Sequence, residues 1–366
     1  MKLSKDDVVS LLKDVRDPLT GQDIVTSGRV GALQIEEDQL RCTLTYTQSL
    51  DPQQKSSLNF ACMQAINSVH PNVAVHIHLE TQHTQGQAQP SVLPQVKHII
   101  AVASGKGGVG KSTVSTNLAL GLKKAGYKVG LIDADLYGPS IPTMLGLEGV
   151  KPKIVDLHGK QKIVPLTAHG IPVISIGFIV EPEQAVVLRG PRLAGIIKQF
   201  IEECVWPELD YLVIDLPPGT GDIQLTLVQT VPLTGVVIVT TPQKVAVADA
   251  LKALNMFRLP SVDVPILGIL ENMSWFTPLE LPENKYFLFG QGGGKILAEK
   301  GETTLLGQIP MFQGIMQGGE QGRPVVLDND HPEIQQIWEG MTTQVIASVA
   351  HRLATMGPST VVQMQG

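Results

Sequence analysis

Cysteine is nearly absent from this chain, with three in 366 residues, at Cys42, Cys62 and Cys204. They form no CxxC pair and no disulfide framework, which excludes a stapled secreted module and fits a reducing, cytoplasmic setting. Aromatic residues are also sparse, at 4%. There is no basic excess: 28 Lys and Arg stand against 34 Asp and Glu, a net charge of −6. A broad electrostatic grip on nucleic acid is therefore not expected. No apolar run approaches the roughly 20 residues of a membrane helix, and the longest, Gly235–Val239 and Ile171–Val180, are strand-sized. Lys5, Asp6, Asp7, Lys13 and Asp14 break up the first residues, so no signal-peptide core is expected. Neither nucleic acid nor membrane is thus an expected partner. What the chain does have is 43% hydrophobic residues and 36 glycines. Its length suits two domains whose cores need no disulfide or metal.

The stretch 81–96, TQHTQGQAQPSVLPQV, offers little to bury and reads as a linker between 1–80 and 97–366. The first part predicts α-β-β-α-β. Ser4 can cap a helix carrying Val8, Leu11, Leu12 and Val15 on one face. Strands are expected over Val30–Glu36 and Leu40–Thr47, a helix over Pro52–Val69, and a strand through Val73, Val75, Ile77 and Leu79. This is a small α+β domain without a catalytic constellation. The second part alternates strands (Ile99–Ala103, Val129–Asp133, Val173–Ile176, Tyr211–Asp215, Val236–Thr240, Ile266–Leu270) with helices (Thr113–Ala125, Pro191–Cys204, Ile223–Val231, Val245–Phe257, Gly293–Lys300, Pro332–Ala354). Several strands are apolar on both faces, so the pattern predicts an α/β fold with a doubly wound, mostly parallel sheet.

Gly105-Lys106-Gly107-Gly108-Val109-Gly110-Lys111-Ser112, followed by Thr113, fits the GxxxxGK[ST] phosphate loop, between an apolar strand and a helix. Glycines let backbone N–H groups approach phosphate oxygens, and the helix N-terminus adds positive potential. Lys111 is expected to reach the β- and γ-phosphates and the Ser112 hydroxyl to ligate Mg²⁺. Two further apolar strands end in acids. Asp135, after Val129–Asp133, is the candidate to orient an attacking water, with Asp133 supporting Mg²⁺ through its waters. Asp215 ends Tyr211–Asp215 in the Walker B manner. In the loop Pro217–Asp222, the Gly219 N–H is a candidate γ-phosphate donor. Asn272 reads either as an adenine-edge reader or as a turn residue.

The second lysine, Lys106, makes the loop resemble the deviant Walker A motif of MinD-like ATPases. In that group the early lysine reaches the nucleotide of a dimer partner. DADLYGPSIPTMLG (Asp133–Gly146), LRGPR (Leu188–Arg192), DLPPGTGD (Asp215–Asp222), TTPQ (Thr240–Gln243) and ENMSWF (Glu271–Phe276) together resemble the Mrp/ApbC-type iron–sulfur cluster carriers over about residues 97–350. DPLTGQDIV (Asp17–Val25) is similar to the small domain of iron–sulfur assembly proteins. The resemblance implies a homodimer that hydrolyses ATP with Mg²⁺, binds a [4Fe–4S] cluster and passes it to apo client proteins.

Family members usually carry CxxC shortly after ENMS, giving two thiolates per subunit to a bridging cluster. Here SWFTPLELPENKYFLFG (Ser274–Gly290) contains no cysteine, and Glu280 and Glu283 are hard ligands unsuited to such iron. Cys42, Cys62 and Cys204 read as small core residues. His76 and His78 share a strand face and read as solvent-facing rather than chelating. Gly290–Gly294 reads as a flexible start to a helix rather than a second phosphate loop. Two alternatives to a carrier therefore stay open: an ATP-gated regulator or escort without a cluster, and a MinD/ParA-like positioning ATPase. The tail His351–Gly366 holds only Arg352 as a cation, which disfavours the latter's membrane helix.

Overall fold

A computed structural model describes residues 4–36, 39–46, 50, 52–71, 73–81, 93–135, 138–157, 159–179, 190–278, 280–357 and 359. The chain folds as two compact units, Met1–Gln89 and Pro90–Gly366. Most of the expected linker, 82–92, lies outside the described residues, as do Leu188 and Arg189 of the LRGPR motif.

The first unit runs α1 (Lys5–Leu12), β1 (Val30–Glu36), β2 (Gln39–Tyr46), α2 (Pro52–Asn67) and β3 (Ala74–Thr81). Ser4 and Asp7 close a reciprocal capping box at the start of α1. β2 is central, antiparallel to β1 and parallel to β3. Its alternation places Leu40, Cys42, Leu44 and Tyr46 in the core, against Leu58, Cys62 and Ile66 at four-residue spacing on α2. His76 and His78 are exposed on β3. Inside the DPLTGQDIV loop, fully buried Asp17 accepts from Arg29 Nε at 2.7 Å and from the Leu19 N–H at 2.8 Å. Burial pushes that carboxyl up, but the Arg29 guanidinium and the backbone donor outweigh it and hold it below the usual range.

The second unit runs β4 (Val96–Ser104), α3 (Lys111–Lys124), β5 (Val129–Asp133), α4 (Ile141–Met144), β6 (Lys153–Leu157), β7 (Lys160–Val164), β8 (Leu166–Ala168), β9 (Ile171–Ser175), α5 (Gly190–Glu202), β10 (Leu209–Asp215), α6 (Asp222–Thr230), β11 (Gly235–Thr240), α7 (Lys244–Phe257), β12 (Ile266–Glu271), α8 (Gly293–Lys300), β13 (Leu305–Gln308), α9 (Gln313–Glu320) and α10 (Pro332–Met356). One sheet takes the order β13-β12-β11-β4-β10-β5-β9-β8. All its pairs are parallel except β8 with β9. The central strands β5 and β11 are buried at every residue, because helices cover both faces. α3 and α10 pack together, while α7 lies against β11 and β4. No helix among the described residues is long and apolar enough to cross a membrane.

The expected strands and helices of this unit are present within a few residues. The β6–β7 hairpin, β8, β13, α4 and α9 were not foreseen. The hairpin carries polar alternation with Ile154 and Leu157 exposed, and β13 and α4 are only four residues long. α9 holds three glycines in eight residues. Such segments are set by their neighbours and not by local propensity. Helix α5 stops at Glu202, so Cys204 lies past it, bridged to Ile163 of β7.

Candidate nucleotide-binding site

Parallel strands end on one edge of the sheet, and here β4, β5, β10 and β9 deliver Ser104, Asp133, Asp215 and Ser175 to it. The loop between β4 and α3 crosses that edge. Gly105 packs so closely on the Asp249–Ala250 backbone of α7 that a Cβ would collide with it. Gly110 caps α3 in the left-handed region at φ 81°, where a Cβ would also strike Asn272 Nδ2. Sequence alone shows these as motif glycines; the structure shows what each must clear.

Lys111 is 6% exposed and its ammonium lies 2.9 Å from Asp215 Oδ2 and 3.2 Å from Asp135 Oδ2. Burial alone would lower its affinity for the proton, but the Asp215 and Asp135 carboxylates prevail and raise it. Ser112 Oγ donates to Asp215 Oδ2 at 2.6 Å, and Ser115 Oγ donates to Asp215 Oδ1 at 2.6 Å. Asp133 is fully buried, accepting from Ser175 Oγ at 2.8 Å and from the Asp135 N–H at 3.1 Å. Burial first, then the nearby Asp215 carboxylate, pushes the Asp133 carboxyl up. Two adjacent acids and a hydroxyl form an all-oxygen donor set, which is the chemistry Mg²⁺ takes when phosphates and waters complete its shell. The residues fit that ion.

The other expected site residues converge on the same edge. Lys106, Gly107, Gly108, Ser112 and Thr113 line a 400 Å³ cleft with Asp135. The Lys106 carbonyl accepts from Ser104 Oγ at 3.0 Å, and its side chain has no ion pair among the described residues. Gly219 lies beside the loop, but its N–H donates to the Ser104 carbonyl at 2.9 Å. Asn272 also reaches the loop. Its Nδ2 donates to the Val109 carbonyl at 2.9 Å, and its Oδ1 accepts from the Met273 N–H at 2.9 Å. As placed, Asn272 braces the loop at a turn in which Met273 adopts φ 56°, and its amide is engaged at both ends. An adjoining apolar cavity of about 640 Å³ is lined by Gly110, Thr113, Met144, Asn272, Phe276, Met311 and Phe312, among others.

Three participants were missed by sequence reasoning. Ser115 sits one turn after Lys111, a spacing that could have suggested it. Ser175 ends a strand as Asp133 and Asp215 do, the same signal in a residue type less often suspected. Glu271 is fully buried at the end of β12, and its Oε2 accepts from the Gly294 N–H at 2.5 Å at the start of α8. The glycine run thus does receive an anion, supplied by this chain's own carboxylate. Gln308 Nε2 donates to the other Glu271 oxygen at 2.6 Å.

None of the residues that line the cleft or the apolar cavity is a cysteine. Cys42, Cys62 and Cys204 are buried, and burial pushes their thiols up to about 11, 12 and 12. Among the described residues no three His, Cys, Asp or Glu side chains gather as a metal cage.

A glycine loop at the carboxyl edge of a parallel sheet, leading into a helix whose first lysine is buried between strand-end acids, defines a P-loop NTPase. A family model described as NUBPL iron-transfer P-loop NTPase matches residues 95–346, and one described as iron–sulfur cluster assembly protein matches residues 5–78. The chain belongs to the NUBPL iron-transfer P-loop NTPase family. It is 40% identical over 350 residues to a Synechocystis iron–sulfur cluster carrier protein, covering 95% of this chain and 98% of that one. It is 47% identical over 254 residues to the Escherichia coli K12 iron–sulfur cluster carrier protein, covering 69% of this chain and 67% of the relative. Among solved structures, it is similar to an Archaeoglobus fulgidus nucleotide-binding protein in complex with ADP. That match has a TM-score of 0.57 at 38% identity, over 67% of this chain and 93% of the other. The Pyrococcus furiosus cell-division ATPase MinD shares the fold, with a TM-score of 0.51 at 21% identity, over 69% of this chain and 99% of the other.

Proposed function

We propose that this chain is an ATP-hydrolysing, dimeric carrier that delivers iron–sulfur clusters to apoproteins in the cytoplasm. The observation that carries the reading is the buried Lys111–Asp215–Asp135 cluster under a glycine loop. It sits in a chain matched over 95% of its length by a relative named as such a carrier. ATP would lay its phosphates along the 105–112 backbone and its base in the apolar cavity beside Gly110. Lys111 leaves its carboxylates for the phosphate oxygens. Asp135, freed of that pair, orients the attacking water. Ser112, Asp215 and, through its waters, Asp133 would hold Mg²⁺, which would supply charge neutralisation at the phosphates. Lys106 serves the second subunit's nucleotide. For the Gly219 N–H to serve the γ-phosphate it must first release the Ser104 carbonyl, which makes the 216–222 loop the moving part.

Phosphate release by the purified protein, compared with Lys111→Ala, tests the hydrolase. Turnover that persists in the variant overturns it. The cargo has its own test. Anaerobic reconstitution with iron and sulfide should give stoichiometric binding with thiolate-to-iron charge-transfer absorption, and a protein that stays colourless loses the cluster. A second reading, an ATP-gated escort that holds no cluster, is favoured by the placement of the cysteines: all three are buried, and 274–290 contains none. The colourless outcome with intact ATP turnover selects it.

A further inference from the structure

Three strand ends line up across the sheet. In the parallel register Asp215 of β10 pairs with Asp133 of β5, and Asp133 pairs with Ser175 of β9. Registered neighbours point to the same face, so these side chains form a row. Asp215 is satisfied from the helix side by Ser112 and Ser115. Asp133 has no helix hydroxyl among its hydrogen bonds; the side-chain donor it is given is Ser175. A serine hydroxyl has a single proton to give. The Gly177 N–H donates to Ser175 Oγ at 2.9 Å, which orients the hydroxyl so that its proton goes to Asp133 Oδ2. The other Asp133 oxygen holds the Asp135 N–H at 3.1 Å. Both ends of the carboxylate are therefore pinned, and Asp133 cannot rotate without releasing the backbone of Asp135.

The same turn touches the loop that follows Asp135. A Cβ on Gly177 would meet Pro139 Cβ and Pro142 Cγ at 3.0 Å each, so the 138–142 segment rests directly on it. Ser175 is itself fully buried and remote from solvent. We propose that Ser175 is a positioning residue for ATP hydrolysis, acting through Asp133 to set the direction of the Asp135 carboxylate. It lines neither the phosphate cleft nor the apolar cavity. Its effect belongs to the rate of the chemical step and to Mg²⁺ use, with ground-state nucleotide binding left to the glycine loop.

The inference rests on the hydrolase reading above, and the two fail differently. If the wild-type protein releases no phosphate from ATP, the hydrolase reading fails first. With an active wild type, steady-state kinetics of Ser175→Ala, Ser175→Cys and Ser175→Thr decide the inference. Removing a group that orients a metal-site carboxylate costs on the order of 10–100-fold. Ser175→Ala and Ser175→Cys should lose kcat by that factor, with KM for ATP changed by less than about twofold. The Mg²⁺ concentration for half-maximal rate should rise on the order of tenfold. Ser175→Thr keeps the hydroxyl and should recover most of the wild-type kcat. A wild-type kcat in both variants without the hydroxyl, a loss that falls on KM alone, or no recovery with threonine overturns the proposal. Failure of both the alanine and the cysteine variant to fold also overturns it, because Ser175 would then be a structural residue.

Discussion

Two stretches of the second unit meet at Asn272 and are built on opposite terms. Upstream in space lies the phosphate-loop cluster, where Lys111, Asp133, Asp135 and Asp215 are nearly or fully buried and held by one another and by serine hydroxyls. Downstream in sequence lies 275–290, where Phe276, Leu281, Tyr286, Phe287 and Leu288 are exposed. The described contacts of that stretch include a two-way backbone pairing of Phe276 with Tyr286 and Lys285 set 4.3 Å over the Trp275 ring. A buried charge persists only while its partners do, so each member of the first region is costly to remove. A half-exposed apolar side chain withdraws only part of its surface, so each residue of the second region adds less to the stability of this fold than a core residue does. A chain with 4% aromatics that nonetheless leaves Phe276, Tyr286 and Phe287 exposed in one stretch, beside a half-buried Trp275, is not using them for its core.

The sharpest test of the contrast is Lys111→Ala. It removes the cation from Asp215 and Asp135 together, and phosphate release should fall by at least about a hundredfold. The first unit offers a smaller version of the same logic. Arg29→Ala leaves Asp17 buried without its cation and should cost about 3 kcal/mol in urea unfolding at neutral pH. The folded Asp17 carboxyl lies below its unfolded value, so the native state binds fewer protons there. Its contribution is present above the ordinary carboxylate range of about 4. It is lost as pH falls through the folded value, so wild type and Arg29→Ala should converge in stability at low pH. A constant gap would break the assignment.

The thiols give the next prediction, with the opposite sign. Unfolded cysteines ionise near about 8.5, whereas the folded ones titrate at about 11 to 12. Between those values the native state retains protons that the unfolded chain has shed, so stability declines as pH rises above about 8.5. In the same window an alkylating reagent should label the three thiols slowly in native protein and fully in urea. Rapid labelling of the native protein would show an accessible thiolate and reopen cysteine as a cluster ligand.

The strongly legible parts of this molecule are those encoded over short stretches. The glycine loop announces itself in eight residues, and Asp133 and Asp215 each end an apolar run. What stayed hidden depends on register between distant strands. Nothing local tells that Ser175 will stand beside Asp133, because their adjacency exists only once β5 and β9 pair. Glu271 and Gly294 are likewise neighbours only after β12 and α8 have packed. Asn272 was legible as a polar group near the nucleotide. Its engagement by Val109 was not, because the two residues stand 163 positions apart in the chain and meet only once the sheet has formed. The three cysteines, by contrast, were readable as core residues from the apolar periodicity around Cys42 and Cys62.

The smallest effect is expected where the exposed stretch is altered. Leu288 is 60% exposed and Tyr286 43% exposed. A Leu288→Ser, Tyr286→Ser double variant removes side chains that folding leaves about half exposed, so unfolding free energy should shift by no more than about 1 kcal/mol. ATP turnover per chain at low protein concentration should be unchanged, since neither residue lines the phosphate cleft or the apolar cavity. A loss of about 2 kcal/mol or more would mean that these side chains are packed against something within the chain. That result would erase the contrast between the two sides of Asn272. A change confined to turnover at high protein concentration would leave the contrast intact and place the stretch at a surface used between molecules, where an apolar patch has its energetic worth.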